Sequence, residues 1–266
     1  MHRILQNIIP GWMGVLVTLL LILSCINQPA SAQNPQVQFD QATQALKDGK
    51  YQQALDTYHK LENEGHHAGP LYLNMGLSYI RIDSLGKAKY YLLKASQFDE
   101  TRRKAEQGLS FVNEQFSRQS AVLPKLPWER VFDWMNREWG SSFVIFIGLL
   151  FVNLGIFGWV FSWFKNFYTK WLRYISGTVG GLGLLIVLTG FYLNYRADRY
   201  HTAVMVTEKA QVRAAPTQSA SLVNPAYEGY TFTVDEKRSE NQAGWVYVRM
   251  SNGQYGWIPK SEILIL

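Results

Sequence analysis

The sequence predicts a multidomain membrane protein in which an all-α repeat domain, a two-helix transmembrane hairpin and a small all-β barrel follow one another along 266 residues. Three observations predict it. Two long runs, 142–163 and 174–195, carry no charged residue. Between 35 and 120 the chain resembles itself after a shift of 34 positions. From 203 to 266 the pattern changes to short alternating apolar runs separated by turn residues. The local reading matters because the average composition, 17% charged with a net charge of +6, describes none of these segments.

His2 and Arg3 precede an apolar run from about Ile8 to Ile26, and Pro29 with the triplet Ala30, Ser31, Ala32 follows it. This is the layout of an export signal, so 1–32 is read as a signal peptide cleaved after Ala32. The alternative is a lipoprotein-type box at Leu23, Ser24 and Cys25 that leaves a lipidated Cys25. Cys25 is the only cysteine. A chain cut beyond it holds no thiol, which excludes disulfides and cysteine-ligated metals.

The uncharged run 142–163 reaches roughly 33 Å as a helix, enough to cross a bilayer core. The second run, 174–195, is bordered by Trp171, Tyr174, Tyr192 and Tyr195, as interfacial belts require. The connector 164–173 carries Lys165, Lys170 and Arg173 and no acid, which assigns it to the cytoplasm. With an exported N-terminal domain and two crossings, both soluble domains are expected in the periplasm of a bacterial inner-membrane protein. Gly177 and Gly181 leave nearly bare backbone on one face of the second span and are expected to make the close helix contact. Asn153, in mid-span, is expected to bond to the partner helix or to another membrane protein, or to be simply tolerated. In the segment 121–141, Trp128, Phe132, Met135 and Trp139 recur at helical spacing. That pattern fits either an amphipathic helix on the membrane surface or a continuous extension of the span.

In the repeat region Gly49, Tyr51, Ala54 and Tyr58 correspond to Asp83, Leu85, Ala88 and Leu92, and Ala42, Gly76 and Ser110 step by the same 34 positions. Small residues at these points allow neighbouring helices to approach. The run Asn74-Met75-Gly76-Leu77-Ser78-Tyr79 followed by Gly86-Lys87-Ala88 resembles the tetratricopeptide pattern, with 101–116 as the closing helix. That resemblance implies a groove lined by Leu73, Leu77, Arg81, Gln107 and Phe111 for a protein partner. Ordinary packing is the competing account of Leu73 and Leu77. His66 and His67 lack companions at ligand spacing.

Beyond 203, five short strands are expected. Val212-Arg213, Pro216, Glu228-Gly229, Gly244 to Val248, Asn252-Gly253 and Gly256-Trp257-Ile258 resemble a bacterial SH3-type domain. Asn252-Gly253 reads as a hairpin turn, and Gly256 as a site where the backbone passes beneath Trp257. Trp245 and Trp257 are read as framework, with a ligand platform as the alternative. Relatives of such modules commonly bind cell-wall glycopeptide or peptide segments, so the resemblance implies surface contacts at Tyr227, Tyr230, Tyr247 and Tyr255.

No hydrolase elbow, zinc-protease motif, Walker loop or nucleotide fingerprint occurs, and after the signal only His59, His66, His67 and His201 could serve as imidazoles. The expectation is a non-enzymatic protein with no cofactor and no nucleic-acid partner. Signal, repeats, two spans and terminal SH3-like barrel, in that order, resemble the BatE-type proteins of bacterial aerotolerance clusters. That resemblance implies a scaffold in an envelope-stress complex with von Willebrand factor A-domain membrane proteins and a MoxR-type ATPase. A cell-wall sensor or anchor binding peptidoglycan is the alternative.

Overall fold

The structure, a computed structural model, describes residues 34–116, 123–124, 126–164 and 169–266. The proposed signal, Cys25 and residues 165–168 of the connector, including Lys165, lie outside the described residues. The chain divides after His67 into two compact units.

The first unit holds α1 (Pro35–Lys47) and α2 (Tyr51–Asn63). Asn34 caps α1 by accepting from the Gln36 amide at 3.0 Å, which satisfies one of the donors a helix start leaves free. The helices pack through Ala42, Ala45, Ala54, Leu55 and Tyr58, all buried. The Tyr58 hydroxyl is 3.1 Å from Thr43 Oγ1, and its ring is 5.9 Å from Phe39. Gly49, at φ +77°, reverses the chain, and the Lys50 amide reaches back to Ala45 O.

The second unit begins with α3 (Gly69–Arg81), α4 (Leu85–Ser96) and α5 (Asp99–Gln115). Its α3–α4 turn repeats the device 34 positions later: Asp83 takes φ +57° and the Ser84 amide bonds Tyr79 O. The core is aromatic, with Tyr79 stacked on Tyr91 at 5.4 Å and Tyr72 against Phe98 at 6.0 Å. Gly76 and Gly108 both press on Leu92, so a side chain at either would strike it. Ser110, expected to sit under a helix, is instead exposed and bonds Glu114. Gly108 makes the close contact, because two positions along a helix turn the side chain through about 200°.

Next come α6 (Pro127–Glu138), α7 (Gly140–Phe164) and α8 (Thr169–Arg199). Gly140 at φ +71° breaks α6 from α7, so the amphipathic segment is a separate helix and not an extension of the next one. Phe132 meets Tyr192 at 5.4 Å and Asp133 meets Arg196 at 3.6 Å, tying α6 to the end of α8. Trp128, Val131, Trp134 and Trp139 remain exposed. α7 and α8 are long and apolar enough to cross a membrane over Gly140–Trp163 and Lys170–Arg199.

Those two helices pack through glycine at several levels. A side chain on Gly155 would meet the Gly180 backbone at 2.6 Å, and Gly148 and Gly190 likewise face Val187 and Ile145. The contact face of α8 is therefore Ser176, Gly180, Gly183, Val187 and Gly190. Gly177 and Gly181 are exposed beside it, and nothing lies within 4 Å of Gly181's open side. The expected glycine contact is thus corrected by one helical step. Of the two readings of Asn153 the tolerated one fits: its amide donates to Leu149 O of its own helix at 2.7 Å. That bond satisfies the group without a partner.

α8 runs into the barrel with no linker, β1 (Tyr200–Met205) following Arg199 directly. β2 (Lys209–Arg213), β3 (Leu222–Tyr227), β4 (Thr231–Asp235), a turn of helix α9 (Glu236–Ser239), β5 (Trp245–Met250), β6 (Tyr255–Pro259) and β7 (Ile263–Ile265) complete it. The sheet order is β3-β2-β6-β5-β4-β1-β7, every pairing antiparallel. Seven strands replace the five expected from sequence. Val212, Phe232, Val234, Val246, Val248 and Ile258 fill the interior. The β5–β6 turn is as expected: Gly253 takes φ +86° and its amide bonds Met250 O at 2.9 Å. Gly256 makes a close approach to Val212 and the Arg213 carbonyl of β2.

Candidate functional site

The barrel presents two chemically distinct surfaces, and the four tyrosines expected to act together are divided between them. Tyr227 and Tyr230 flank the turn at Glu228-Gly229, their rings 5.7 Å apart and edge to face. This turn is occupied by the helical part of the same unit. The Gly86 amide, in the first turn of α4, donates to Glu228 Oε1 at 2.6 Å. A carboxylate there meets both an unpaired helical donor and the positive end of the helix dipole. One turn along, Lys89 Nζ donates to Gly229 O at 2.7 Å, and the Tyr90 hydroxyl donates to Ile265 O at 3.2 Å.

Glycines make this contact possible. Gly86 leaves no room for a side chain against the Met205 carbonyl, 2.6 Å from where a Cβ would stand. Gly229, at φ +81°, lies under the Phe116 ring, which a Cβ would penetrate. Lys89 is held between the two parts with its ammonium 5.6 Å from the Phe116 ring centre. Burial there pushes its pKa down to about 8.

The second surface is the outer face of β5 and β6. Alternation along β5 turns Val246, Val248 and Met250 inward and Trp245, Tyr247 and Arg249 outward. Cross-strand register sets Tyr247 opposite Trp257 and Arg249 opposite Tyr255. Tyr247 meets Trp257 edge to face at 5.1 Å and stacks on Tyr255 at 6.0 Å. Arg238, from α9, lies over the Tyr247 ring at 4.7 Å, and Arg249 over Tyr255 at 5.9 Å. Trp245 and Trp257 are half-buried on this face and lie outside the buried core.

Arg238 follows from a fixed corner. Asp235, at the end of β4, caps α9 through the Arg238 amide at 3.3 Å and accepts a two-pronged bond from Arg199 at 3.1 and 2.8 Å. Burial alone would raise the Asp235 pKa, but the hydrogen bonds from Arg199 and the Arg238 amide outweigh it and leave the carboxyl below its ordinary value. The Ser239 hydroxyl then accepts from the Tyr247 amide at 2.9 Å, fixing α9 against β5.

The helical candidates separate as well. Leu73 is buried and belongs to the packing, whereas Leu77, Arg81, Gln107 and Phe111 are exposed on α3 and α5. Arg238 and Arg249 escaped the sequence reading because neither belongs to a motif. The available signal was the alternation in Trp245-Val246-Tyr247-Val248-Arg249, which marks every second residue as outward.

No curated protein matches the chain. Residues 208–263 match the bacterial SH3 domain family, and such a domain suggests protein–protein or peptidoglycan binding.

Proposed function

We propose that the chain is a two-pass inner-membrane scaffold whose tetratricopeptide-like helical domain and SH3-like barrel both lie in the periplasm and hold protein partners there. The observation that carries the reading is the bond of α4 to the Glu228-Gly229 turn. The two parts in contact flank α7 and α8 in the sequence, and they can touch only if an even number of crossings separates them. Two apolar helices meet that condition. The basic connector and the export-type N-terminus supply the direction: loop in, domains out. The matching reversals at Gly49 and Asp83 support the tetratricopeptide reading. The domain order supports a place in a Bat-type envelope complex, with von Willebrand factor A-domain proteins as partners and a non-enzymatic role. The free tryptophan face of α6 fits the membrane surface.

Peptidoglycan binding is the second reading, favoured by the SH3 match. The direct join of α8 to β1 weighs against it, since a barrel without a linker stays at the membrane and its ligand must come to it.

Two measurements test the proposal. Ser110→Cys and Ser261→Cys, at exposed positions, are expected to react equally with a membrane-impermeant maleimide in intact spheroplasts. Labelling of only one before permeabilisation sinks the topology. Membrane partners that co-purify in mild detergent are expected to be lost on deleting 35–120, and their retention removes the scaffold role.

A further inference from the structure

The guanidiniums on the outer face of the β5–β6 hairpin are backed by rings, and Arg238 shares its carboxylate partner Asp235 with Arg199. Arg249 is exposed on Tyr255, and among the described residues no carboxylate lies within ion-pair distance of it. Arg238 reaches Asp235 only at 3.8 Å, and Arg199 already occupies that carboxylate at 2.8 Å. Stacking uses the face of a guanidinium and leaves its in-plane N–H fork free, which is the geometry that accepts a carboxylate through two bonds. Tyr247 lies under Arg238 and against Tyr255, so cations and rings share this face.

Tyr247 and Tyr255, which the two arginines overlie, stack with their ring centres 6.0 Å apart, so both cations belong to one patch. Trp257, edge to face with Tyr247, adds an apolar contact for the chain that brings a carboxylate.

We propose that this face docks an acidic segment of a protein partner, its carboxylates received by Arg238 and Arg249. The proposal rests on reading the barrel as a partner-binding module.

The test uses the full chain in detergent micelles and two fluorescein-labelled peptides, (Glu-Ala)6 and (Gln-Ala)6, followed by anisotropy. The acidic peptide is expected to bind at least tenfold more tightly, and more weakly as salt is raised. Arg238→Gln and Arg249→Gln are each expected to cost roughly tenfold or more. Arg103→Gln, which removes an exposed charge from α5, is expected to change nothing. Equal binding of the two peptides, an Arg103→Gln effect as large as that of Arg249→Gln, or displacement by an uncharged chitooligosaccharide overturns the inference. Partners still co-purifying with the Arg238→Gln/Arg249→Gln double variant, with acidic-peptide binding unchanged from the parent, sinks this inference alone and leaves the scaffold standing.

Discussion

Gly86→Ala sets two effects of opposite sign against each other. Within a helix, Gly→Ala is worth up to about 1 kcal/mol, less in the first turn, because alanine loses less backbone entropy. If α4 were a free helix end, the substitution would stabilise it. Here the new methyl stands 2.6 Å from Met205 O and 3.0 Å from Val206 Cα. Both are backbone atoms of the barrel and cannot rotate aside, so α4 must withdraw. Withdrawal breaks the Lys89–Gly229 bond and weakens the Gly86–Glu228 bond, which is charge-assisted and worth about 1.5–3 kcal/mol. Even the lower figure for one bond exceeds the gain in propensity. The expected net loss of local stability is about 2 kcal/mol, roughly thirtyfold in the opening equilibrium.

Hydrogen exchange on the full chain in micelles reads this directly. Peptides covering 84–92 and 226–232 are expected to exchange faster together in Gly86→Ala, with Glu228→Gln intermediate because its amide oxygen still accepts from Gly86. Slower exchange in 84–92 with no change in 226–232 is the behaviour of a free helix end. It would remove the docking, and with it the argument that both parts share one compartment.

The Lys89 pKa near 8 makes the same contact pH-dependent. Docking favours the neutral amine and undocking restores the ordinary value of 10.5, so the undocked state binds more protons between these limits. Stability is expected to rise with pH from 8 towards 10.5, by at most about 1.4 kcal/mol per unit, and the slope is expected to vanish in Lys89→Met melts compared over pH 8 to 9.5. For Asp235 the sign differs: its lowered pKa stabilises the barrel above the ordinary carboxylate range, and that share is lost as acid protonates it. Asp235→Ala is expected to lower the urea midpoint of unfolding, because it removes both the two-pronged bond to Arg199 and the cap on α9. Gly155→Ala is expected to lower the melting temperature in micelles by pushing on the Gly180 backbone, whereas Gly181→Ala, with open space around it, leaves it unchanged. Equal effects would mean the helices cross on another face.

Much of the architecture was legible because it depends on period. Length without charge marks α7 and α8, alternation marks β5, and the 34-residue step finds both reversals, including the left-handed Asp83. Face was harder to read. Gly177 and Gly180 differ by less than one turn of α8, and only the partner helix decides which is covered. In the same way Ser110 and Gly108 are both small, but Leu92 reaches one of them. Composition records that a close approach occurs nearby. It does not record the rotation of the helix that makes it.

The site was legible to a similar depth, for a related reason. Tyr227, Tyr230, Tyr247 and Tyr255 look alike along the chain, and a single surface was the natural expectation. The fold separates them because Tyr227 precedes a turn that α4 covers, while Tyr247 and Tyr255 pair across a hairpin. What distinguishes the open pair is the arginine over each ring. One of those arginines is placed by Asp235, the residue that also holds the end of α8. The open surface of the barrel and its attachment to α8 are thus set by one carboxylate. Disturbing Asp235 should therefore loosen the anchor and misplace Arg238 together, a coupling that no motif in the sequence announces.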